Sequence, residues 1–358
     1  MRRKETMTRI RTWIPAVTAG AALVLALAAA ACGGGPGSAA ADPAGTSLNG
    51  AGSTLVYPLL SQWEPDYSSR AGATITYGAI GSGGGIAAVT SQSVDFGASD
   101  APLTDDQRRS AGDVIQIPWA LAATDVAYHV KGIGNKLRLT GPVLADIFLG
   151  KVATWDDPAI ARLNPGVHIP ATKITPVYRS DASGDTYVFT DYLSKISPAW
   201  KSTVGSAVQV SFPTGVGAEH NSGVAAALAG TDGTIAYLAI SYVLQNSLDY
   251  ALLRNAAGTY PDVQIPAISA AAATVKSIPT GGAVSLTNPP ASEADAYPMA
   301  TFSYVIVPAS SPKATALRKF ITYAITDGQQ FAAALDFAPL PEVVRRYDEQ
   351  QIALIGRG

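Results

Sequence analysis

Residues 72–89 read GATITYGAIGSGGGIAAV, with alternating Thr, Ile and Tyr, then a run of Gly and Ser, then apolar residues. This order predicts a strand that ends in a glycine-rich turn and runs directly into a helix. Residues 174–193, ITPVYRSDASGDTYVFTDYL, repeat the order later in the chain, with a polar turn in place of the glycine run. Two strand–turn–helix units of this kind predict a mixed α/β protein.

Composition places the chain among globular proteins. Of its 358 residues, 47% are hydrophobic and only 15% are charged, which is not the composition of a disordered chain or a coiled coil. This length is sufficient for two ordinary domains, each with a sizeable core.

The N-terminus is predicted to be a targeting segment that lies outside the fold. Residues 1–31 combine five basic residues near the start with an apolar run, and they end in three Ala residues before Cys32. The pattern resembles a bacterial lipoprotein signal, which implies that Cys32 is lipidated. Cys32 is the only cysteine, so an internal disulfide cannot explain it; an ordinary signal peptide with an incidental cysteine is the alternative. Residues 32–47 are rich in Gly, Ala, Pro and Ser and are predicted to form a flexible tether.

The net charge excludes a general attraction to nucleic acid. The chain carries 25 basic and 27 acidic residues, and removal of residues 1–31 leaves 20 basic and 26 acidic residues, a formal charge of −6. A protein this acidic has no long-range attraction for nucleic acid or anionic lipid. Any anion that it binds must therefore be held by local geometry.

Two Gly/Ser-rich segments carry groups that suit an anion. Residues 50–55 (GAGSTL) and 81–85 (GSGGG) each precede a predicted helix. Gly, Ser and Thr in this position supply free backbone N–H groups and hydroxyl donors. The alternatives are an ordinary strand-to-helix turn capped by Thr54, and a flexible loop around Ser82.

An acid follows a short apolar strand in the segment VDFGASD, residues 94–100. The carboxylate of Asp100 can accept a hydrogen bond from a protonated phosphate oxygen, but it repels fully ionised sulfate. The alternative interpretation is that Asp100 is a helix N-cap.

A fourth segment, RSDASGDT at residues 179–186, lies between a predicted strand and a predicted helix. Arg179 is a forked, permanently charged donor that matches tetrahedral oxyanions, and Asp181 can hold it in place. Ser183 and Gly184 offer a hydroxyl and N–H groups at the helix start. The alternative is a surface salt bridge and a helix cap.

The sequence contains few residue patterns that would suit catalysis. The three histidines, His129, His168 and His220, have no metal-like spacing, and none is adjacent to a serine of these motifs. We therefore predict no enzyme activity, no metal and no cofactor.

The four segments, in this order, resemble the PstS family, the phosphate-binding proteins of bacterial phosphate ABC transporters, and in particular actinobacterial lipoproteins. The similarity runs from Leu48 to about Val344 and includes DIFLGKV at 146–152, YVFTDYL at 187–193 and LDFAPLP at 335–341. It implies a type II periplasmic-binding-protein fold, with two α/β lobes joined by a two-strand hinge. The implied lobes are residues 48–130 with 299–358, and residues 131–298, with crossings near 124–131 and 297–304.

The resemblance also implies the residues that contact phosphate. One lobe would contribute Thr54, Leu55 (through its backbone N–H), Ser82 and Asp100, and the other Arg179, Ser183, Gly184 and Asp185, with Asp181 orienting the arginine. Two residues depart from the family pattern. Leu55 occupies a position where many members have Phe, and Asp185 one where many have Thr. A second acid there would either accept another phosphate proton or turn away from the ligand.

The implied function is capture of inorganic phosphate and its delivery to the membrane permease subunits of an ABC importer. The protein would act outside the cytoplasm, anchored to the outer face of the cell membrane through a lipid on Cys32. Three alternatives remain open at this stage. They are a sensing or adhesive lipoprotein, a sulfate- or molybdate-binding protein, and an exported phosphomonoesterase that uses Ser82 or Ser183 with a histidine.

Overall fold

A computed structural model describes residues 46–357 of the chain. The predicted signal segment, Cys32 and the tether up to residue 45 lie outside the described residues. Among residues 46–357, no helix combines the length and apolar character needed to cross a bilayer.

The described residues form a mixed α/β structure, as predicted. The strands are β1 Ser47–Gly52, β2 Thr74–Ala79, β3 Phe96–Ser99, β4 Val114–His129, β5 Arg138–Thr140, β6 Thr175–Arg179, β7 Val216–Ala218, β8 Thr234–Ala239, β9 Asp249–Tyr250, β10 Leu252–Arg254 and β11 Ala300–Pro308. The α-helices are α1 Tyr57–Ala71, α2 Ser82–Thr90, α3 Asp105–Ala111, α4 Gly141–Phe148, α5 Pro158–Ala161, α6 Gly184–Ile196, α7 Pro198–Thr203, α8 His220–Gly230, α9 Ile240–Gln245, α10 Ile265–Ala273, α11 Ala314–Ile325 and α12 Glu342–Ile352. Two short 3-10 helices span Asp327–Phe331 and Ala333–Leu335.

One long strand connects two groups of strands. The main sheet has the order β2-β1-β3-β11-β4-β8-β6-β7, with β9 pairing to β4. Residues 114–123 of β4 pair with β11, whereas residues 124–129 pair with β8. We call β2, β1, β3, β11 and residues 114–123 the first half-sheet, and residues 124–129 with β8, β6, β7 and β9 the second half-sheet. The predicted crossings near 124–131 and 297–304 overlap β4 and β11; the lobe boundaries drawn from them stay a prediction.

Both predicted strand–turn–helix units are present, but their helices start earlier than the apolar pattern predicts, which is at Ile86 and at about Tyr187. In the first unit the glycine run is the first turn of α2, which begins at Ser82, so it is not a flexible loop. Gly81 makes the preceding turn with a φ of +85°, a conformation that glycine adopts without a steric penalty. In the second unit α6 begins at Gly184, and the Ser183 hydroxyl accepts a hydrogen bond from the backbone N–H of Asp185.

Aromatic rings pack beside each half-sheet, within one continuous hydrophobic core. Trp63 and Trp119 pack edge to face beside the first half-sheet, with ring centroids 5.3 Å apart. Phe189 and Tyr237 stack beside the second, with centroids 4.3 Å apart. The Tyr237 hydroxyl also accepts the backbone N–H of Arg179 at 3.1 Å. This aromatic pair therefore fixes the end of β6, where the candidate site begins.

Replacing Asp348 by Asn is expected to stabilise the protein at high pH. Asp348 lies on α12, is fully buried, and has no hydrogen-bond partner on either carboxylate oxygen among residues 46–357. Burial, with a smaller contribution from Glu349, raises the pKa of Asp348 to about 9. Because the folded state then holds the proton more tightly than the unfolded chain, stability falls as pH rises between the unfolded and folded pKa values.

We therefore expect Asp348→Asn to raise the melting temperature by about 2–6 °C at pH 8 and by clearly less at pH 5. Thermal melts at the two pH values measure this effect. The exposed Asp156 provides a matched control, since Asp156→Asn is the same substitution at a position that is not buried and lies far from Asp348 in the chain. An equal gain at both pH values would contradict the explanation.

Candidate functional site

The four anion-directed segments meet between the two half-sheets. They are the turn after β1, the start of α2, the end of β3, and the connection from β6 to α6. The side chains predicted to contact ligand are at most 4% exposed: Thr54, Leu55, Ser82, Asp100, Arg179, Ser183 and Asp185. Gly184 is buried with them, and Asp181 is half-buried. Sequence reasoning thus identified residues that are far apart in the chain and adjacent in space.

Asp100 lies among serine hydroxyls. The Oγ atom of Ser53 is 2.7 and 2.6 Å from its two carboxylate oxygens, and that of Ser82 is 3.3 Å from Oδ2. Burial, and then the nearby charge of Asp185, raise the pKa of Asp100 to about 7. The carboxylate is therefore a strong acceptor for a proton carried by a ligand. Asp100 does not cap a helix, since α3 begins later and is capped by Thr104.

Arg179 is buried between two acids. Its Nε donates to Asp181 Oδ1 at 2.7 Å, its Nη2 to Asp181 Oδ2, and its Nη1 to Asp185 Oδ2 at 3.1 Å. A guanidinium has five N–H donors, so two of them are left for a ligand. Asp181 lies where the resemblance placed the arginine-orienting acid. The alternative of a surface salt bridge is wrong because the Arg179 side chain is only 1% exposed.

Asp185 faces donors on three sides. Besides Arg179, its carboxylate accepts hydrogen bonds from Thr124 Oγ1 at 2.7 Å and from Asn221 Nδ2 at 2.8 Å. Burial is the largest influence on its pKa and raises it, although the guanidinium and these two donors act in the opposite direction. Asp185 therefore sits beside Arg179 as a second supporting acid.

Three hydrogen bonds join the two half-sheets directly across the site. The Gly184 N–H donates to Ser82 Oγ at 3.0 Å, and the Gly83 N–H donates to the Ala182 carbonyl at 2.9 Å. Asn221 Nδ2 donates to Thr54 Oγ1 at 2.9 Å. A Cβ on Gly184 would lie 2.5 Å from the Cβ of Asp100. The site is therefore closed, and only glycine fits at its centre.

The remaining predicted ligand contacts are Leu55, Thr54 and Ser183, and they differ in whether their donor groups already make a hydrogen bond. The Leu55 N–H, predicted to bind the ligand through the backbone, donates to Ser53 Oγ at 3.0 Å. Thr54 is not a helix cap, because α1 is preceded by Val56 and has no side-chain cap. The hydroxyls of Thr54 and Ser183 both accept hydrogen bonds, from Asn221 and from the Asp185 N–H. Each keeps its own proton to donate.

Electrostatics at the site favour an anion despite its three acids. The helices α2 and α6 both begin at the site, at Ser82 and Gly184. The first N–H groups of a helix have no partner within the helix and carry a partial positive charge. Together with Arg179 they supply donors of positive character in the same site as the acceptor Asp100, a combination that suits a tetrahedral anion that still carries a proton.

Three residues at the site were missed by sequence reasoning: Ser53, Thr124 and Asn221. Ser53 lies within the predicted segment 50–55, so its position was a usable signal. Thr124 and Asn221 come from β4 and α8, where the local sequence carries no anion motif. Neither Ser82 nor Ser183 is hydrogen-bonded to a histidine within residues 46–357. In the same part of the chain, no group of three His, Cys, Asp or Glu residues is arranged to hold a metal.

The chain is similar in sequence both to a family profile and to individual known proteins. The sequence profile described as the PBP superfamily domain matches residues 37–328. The chain is similar to phosphate-binding protein PstS of Xylella fastidiosa, with 41% identity over 300 residues that cover 82% of this chain and 81% of that one. It is similar to phosphate-binding protein PstS 2 of Mycobacterium tuberculosis, with 32% identity over 338 residues, 87% of this chain and 90% of that one.

Solved structures share the fold. A high-affinity periplasmic phosphate-binding protein bound with phosphate superposes with a TM-score of 0.69 at 22% identity, covering 85% of this chain and 93% of that one. A phosphate-binding protein from Stenotrophomonas maltophilia gives a TM-score of 0.66 at 20% identity, covering 84% and 92%. At this identity the likeness concerns the two-lobe fold alone.

Proposed function

This chain belongs to the PBP superfamily and, within it, to the PstS phosphate-binding proteins, and from this membership we propose that it captures inorganic phosphate between its two half-sheets. The observation that carries the proposal is the buried site itself, which brings Arg179, two helix N-termini and Asp100 together. Donors alone would suit any tetrahedral oxyanion. The acid adds the requirement that the ligand carries a proton.

We propose that the ligand contacts are those that the resemblance implies. Phosphate would accept hydrogen bonds from the two free N–H groups of Arg179, from the hydroxyls of Thr54, Ser82 and Ser183, and from the N–H groups of Leu55 and Gly184. It would donate one to Asp100. Leu55, Ser82 and Gly184 must exchange their present partners for the ligand. Asp185 is a contact in the resemblance, but its three donors favour a role in holding Arg179.

The fold supplies the movement that binding needs. Since β4 belongs to both half-sheets, a small change along β4 and β11 separates or joins them. Phosphate enters the open cleft, and closure excludes water and strengthens each charged hydrogen bond. One buried arginine can then hold the anion in an otherwise acidic protein. No covalent step is required, so the protein acts as a binding protein and not as an enzyme.

We propose that the loaded, closed form is recognised by permease subunits of a phosphate ABC importer. The protein would work outside the cytoplasm, tethered to the outer face of the membrane by a lipid on Cys32. The basic and apolar pattern of residues 1–31 supports this anchor. Mass spectrometry of the protein purified from membranes tests it, because lipidation adds a diacylglyceryl mass to a chain that starts at Cys32.

Asp100→Asn tests the chemistry of recognition. We expect the variant to bind sulfate at least about 10-fold more tightly than the wild type does, because a neutral amide no longer repels a fully ionised anion and can donate to it. The ratio of phosphate to sulfate affinity should therefore fall. Calorimetric titration with both anions at pH 7.5 measures the two affinities.

The matched control is Asp125→Asn. Asp125 is also fully buried, but its carboxylate accepts the Tyr297 hydroxyl at 2.7 Å. Loss of that buried charge should leave the selectivity unchanged. If Asp100→Asn kept the wild-type ratio of affinities, the role assigned to Asp100 would be wrong.

A further inference from the structure

We propose that Asn221 is a positioning residue that latches the closed site and aims the Thr54 hydroxyl at the bound anion. The inference rests on the proposed function, since it assigns a role within the phosphate site. Asn221 is the second residue of α8, a helix that packs on β8 and β6 of the second half-sheet. Its sequence surroundings gave no reason to single it out.

The amide of Asn221 is fully engaged. The side chain is completely buried, and its Nδ2 donates to Thr54 Oγ1 at 2.9 Å and to Asp185 Oδ2 at 2.8 Å. Its Oδ1 accepts the backbone N–H of Ala239 at 2.9 Å. The amide cannot be turned around, because Oδ1 would then face the Asp185 carboxylate and two hydrogen-bond donors would face each other at Ala239. Its orientation is therefore fixed by its neighbours.

This orientation decides what Thr54 does. A hydroxyl has one proton and two lone pairs, and Thr54 Oγ1 uses a lone pair to accept from Asn221. Its proton must therefore point away from Asn221 and remains available to another acceptor. Asn221 thus makes Thr54 a donor, which is the role an anion needs.

The start of α8 also steadies both acids that hold Arg179. The backbone N–H of His220 donates to Asp181 Oδ1 at 2.9 Å, while the next residue, Asn221, donates to Asp185. His220 adopts a left-handed backbone conformation, with a φ of +60°, which few non-glycine residues do. Two consecutive residues therefore reach the two carboxylates on either side of one guanidinium.

The hydrogen bond to Thr54 exists only when the half-sheets are together. Thr54 follows β1 in the first half-sheet, whereas Asn221 and Asp185 belong to helices on the second. Opening the cleft must break this bond and leave a buried polar group to be rehydrated. Removing Asn221 should therefore speed the escape of phosphate more than it slows its entry.

The test compares Asn221→Ala with the wild type, using full-length protein purified in detergent and stripped of phosphate. Radiolabelled inorganic phosphate is the probe, and its release is followed after a chase with unlabelled phosphate. We expect the release rate of Asn221→Ala to rise about 10- to 100-fold, while the association rate changes by less than about 3-fold.

The matched control is Asn164→Ala. Asn164 is a buried asparagine whose side chain bonds to Arg138 and Ile160 and makes no hydrogen bond to Thr54 or Asp185. It should lower the melting temperature, as any lost buried hydrogen bond does, and leave phosphate release within about 2-fold of wild type.

A second variant, Asn221→Asp, separates a latch from a merely structural residue. The substitution keeps the shape, removes both donors and places a second carboxylate against Asp185. Relative to the wild type at the same pH, we expect release to be faster than in Asn221→Ala at pH 8 and to slow toward the wild-type rate at pH 5, because protonation of the new carboxylate removes its repulsion with Asp185 and restores one donor. The comparison at equal pH removes the titration of Asp100 and of phosphate, which all variants share. Asn221→Asp also carries the test if Asn221→Ala does not fold.

The outcomes are distinct. A wild-type protein that binds phosphate, with release unchanged in both Asn221 variants, would overturn this inference alone. A wild-type protein that binds no phosphate would overturn the proposed function and the latch with it. Faster release in Asn221→Ala and Asn164→Ala alike would assign the effect to lost stability and also reject the latch.

Discussion

Arg179→Ala is expected to reduce phosphate affinity by roughly 1000-fold or more, the largest effect of any single substitution in the site. The side chain is the buried cation between Asp181 and Asp185. Its removal takes away two ligand donors and leaves two acids without their partner. An anion would then meet the acids of the site with no arginine to offset them. Calorimetric titration with phosphate measures the loss.

Two further variants define what the arginine supplies. Arg179→Lys keeps the charge but not the planar fork, so we expect it to recover only part of the affinity. Arg138→Ala is the matched control, since Arg138 is an exposed arginine that lies over the ring of Tyr260 at 5.3 Å. It should bind phosphate as the wild type does. Retention of tight binding by a folded Arg179→Ala protein would remove the arginine from the proposed mechanism.

Gly83→Ala is expected to weaken phosphate binding by about 10- to 100-fold by holding the site open. Gly83 is on α2, and a Cβ there would lie 2.3 Å from the Cβ of Ala182 on the opposite side of the site. Two methyl groups cannot approach so closely, so the half-sheets must move apart. The hydrogen bond from the Gly83 N–H to the Ala182 carbonyl, now 2.9 Å, would be lost as well.

The next residue provides the matched control for closure. The three atoms nearest to a Cβ on Gly84 would all belong to the side chain of Ile80, at 2.9 to 3.5 Å, within the same half-sheet. Ile80 is exposed and can rotate away, so Gly84→Ala should bind phosphate within a few-fold of wild type. Small-angle X-ray scattering with and without phosphate reports closure directly. Equal affinities and equal closure in the two variants would show that contact at Gly83 does not limit binding.

Much of the site could be predicted because groups that bind an anion form local sequence patterns that can be recognised. A forked cation before a Ser-Gly helix start, and Gly/Ser runs between strand and helix, are readable without a structure. Arg179, Ser183 and Gly184 adjoin one helix start, and Ser82 begins another. The closeness of these two helix starts followed from the family resemblance and not from either segment.

The supporting residues could not be predicted, because their role depends on distant parts of the chain. Asn221 is 167 residues from Thr54 and 36 from Asp185, and its neighbours in sequence form no motif. Asp348 stands in a segment that reads as an exposed polar helix, yet it is buried. Burial of a single polar residue is set by tertiary packing, which local periodicity does not encode.

Helix starts were placed too late for a similar reason. Glycine is a poor helix former, so the run at residues 82–85 reads as a turn. In the structure these glycines are the first turn of α2, where Gly85 approaches the backbone of β1 and β3. A Cβ at Gly85 would lie 2.5 Å from the Cα of Gly52. Close packing, rather than helix propensity, selects glycine there.

The central claim is that this protein holds phosphate, and distinguishes it from sulfate, in a closed site built on Arg179 and Asp100. The most direct test is calorimetric titration of the full-length, phosphate-stripped protein with phosphate and then, separately, with sulfate. We predict one-to-one phosphate binding with a Kd of about 1 μM or tighter, and no measurable heat from sulfate. Absence of phosphate binding, or sulfate binding of equal strength, would contradict the account.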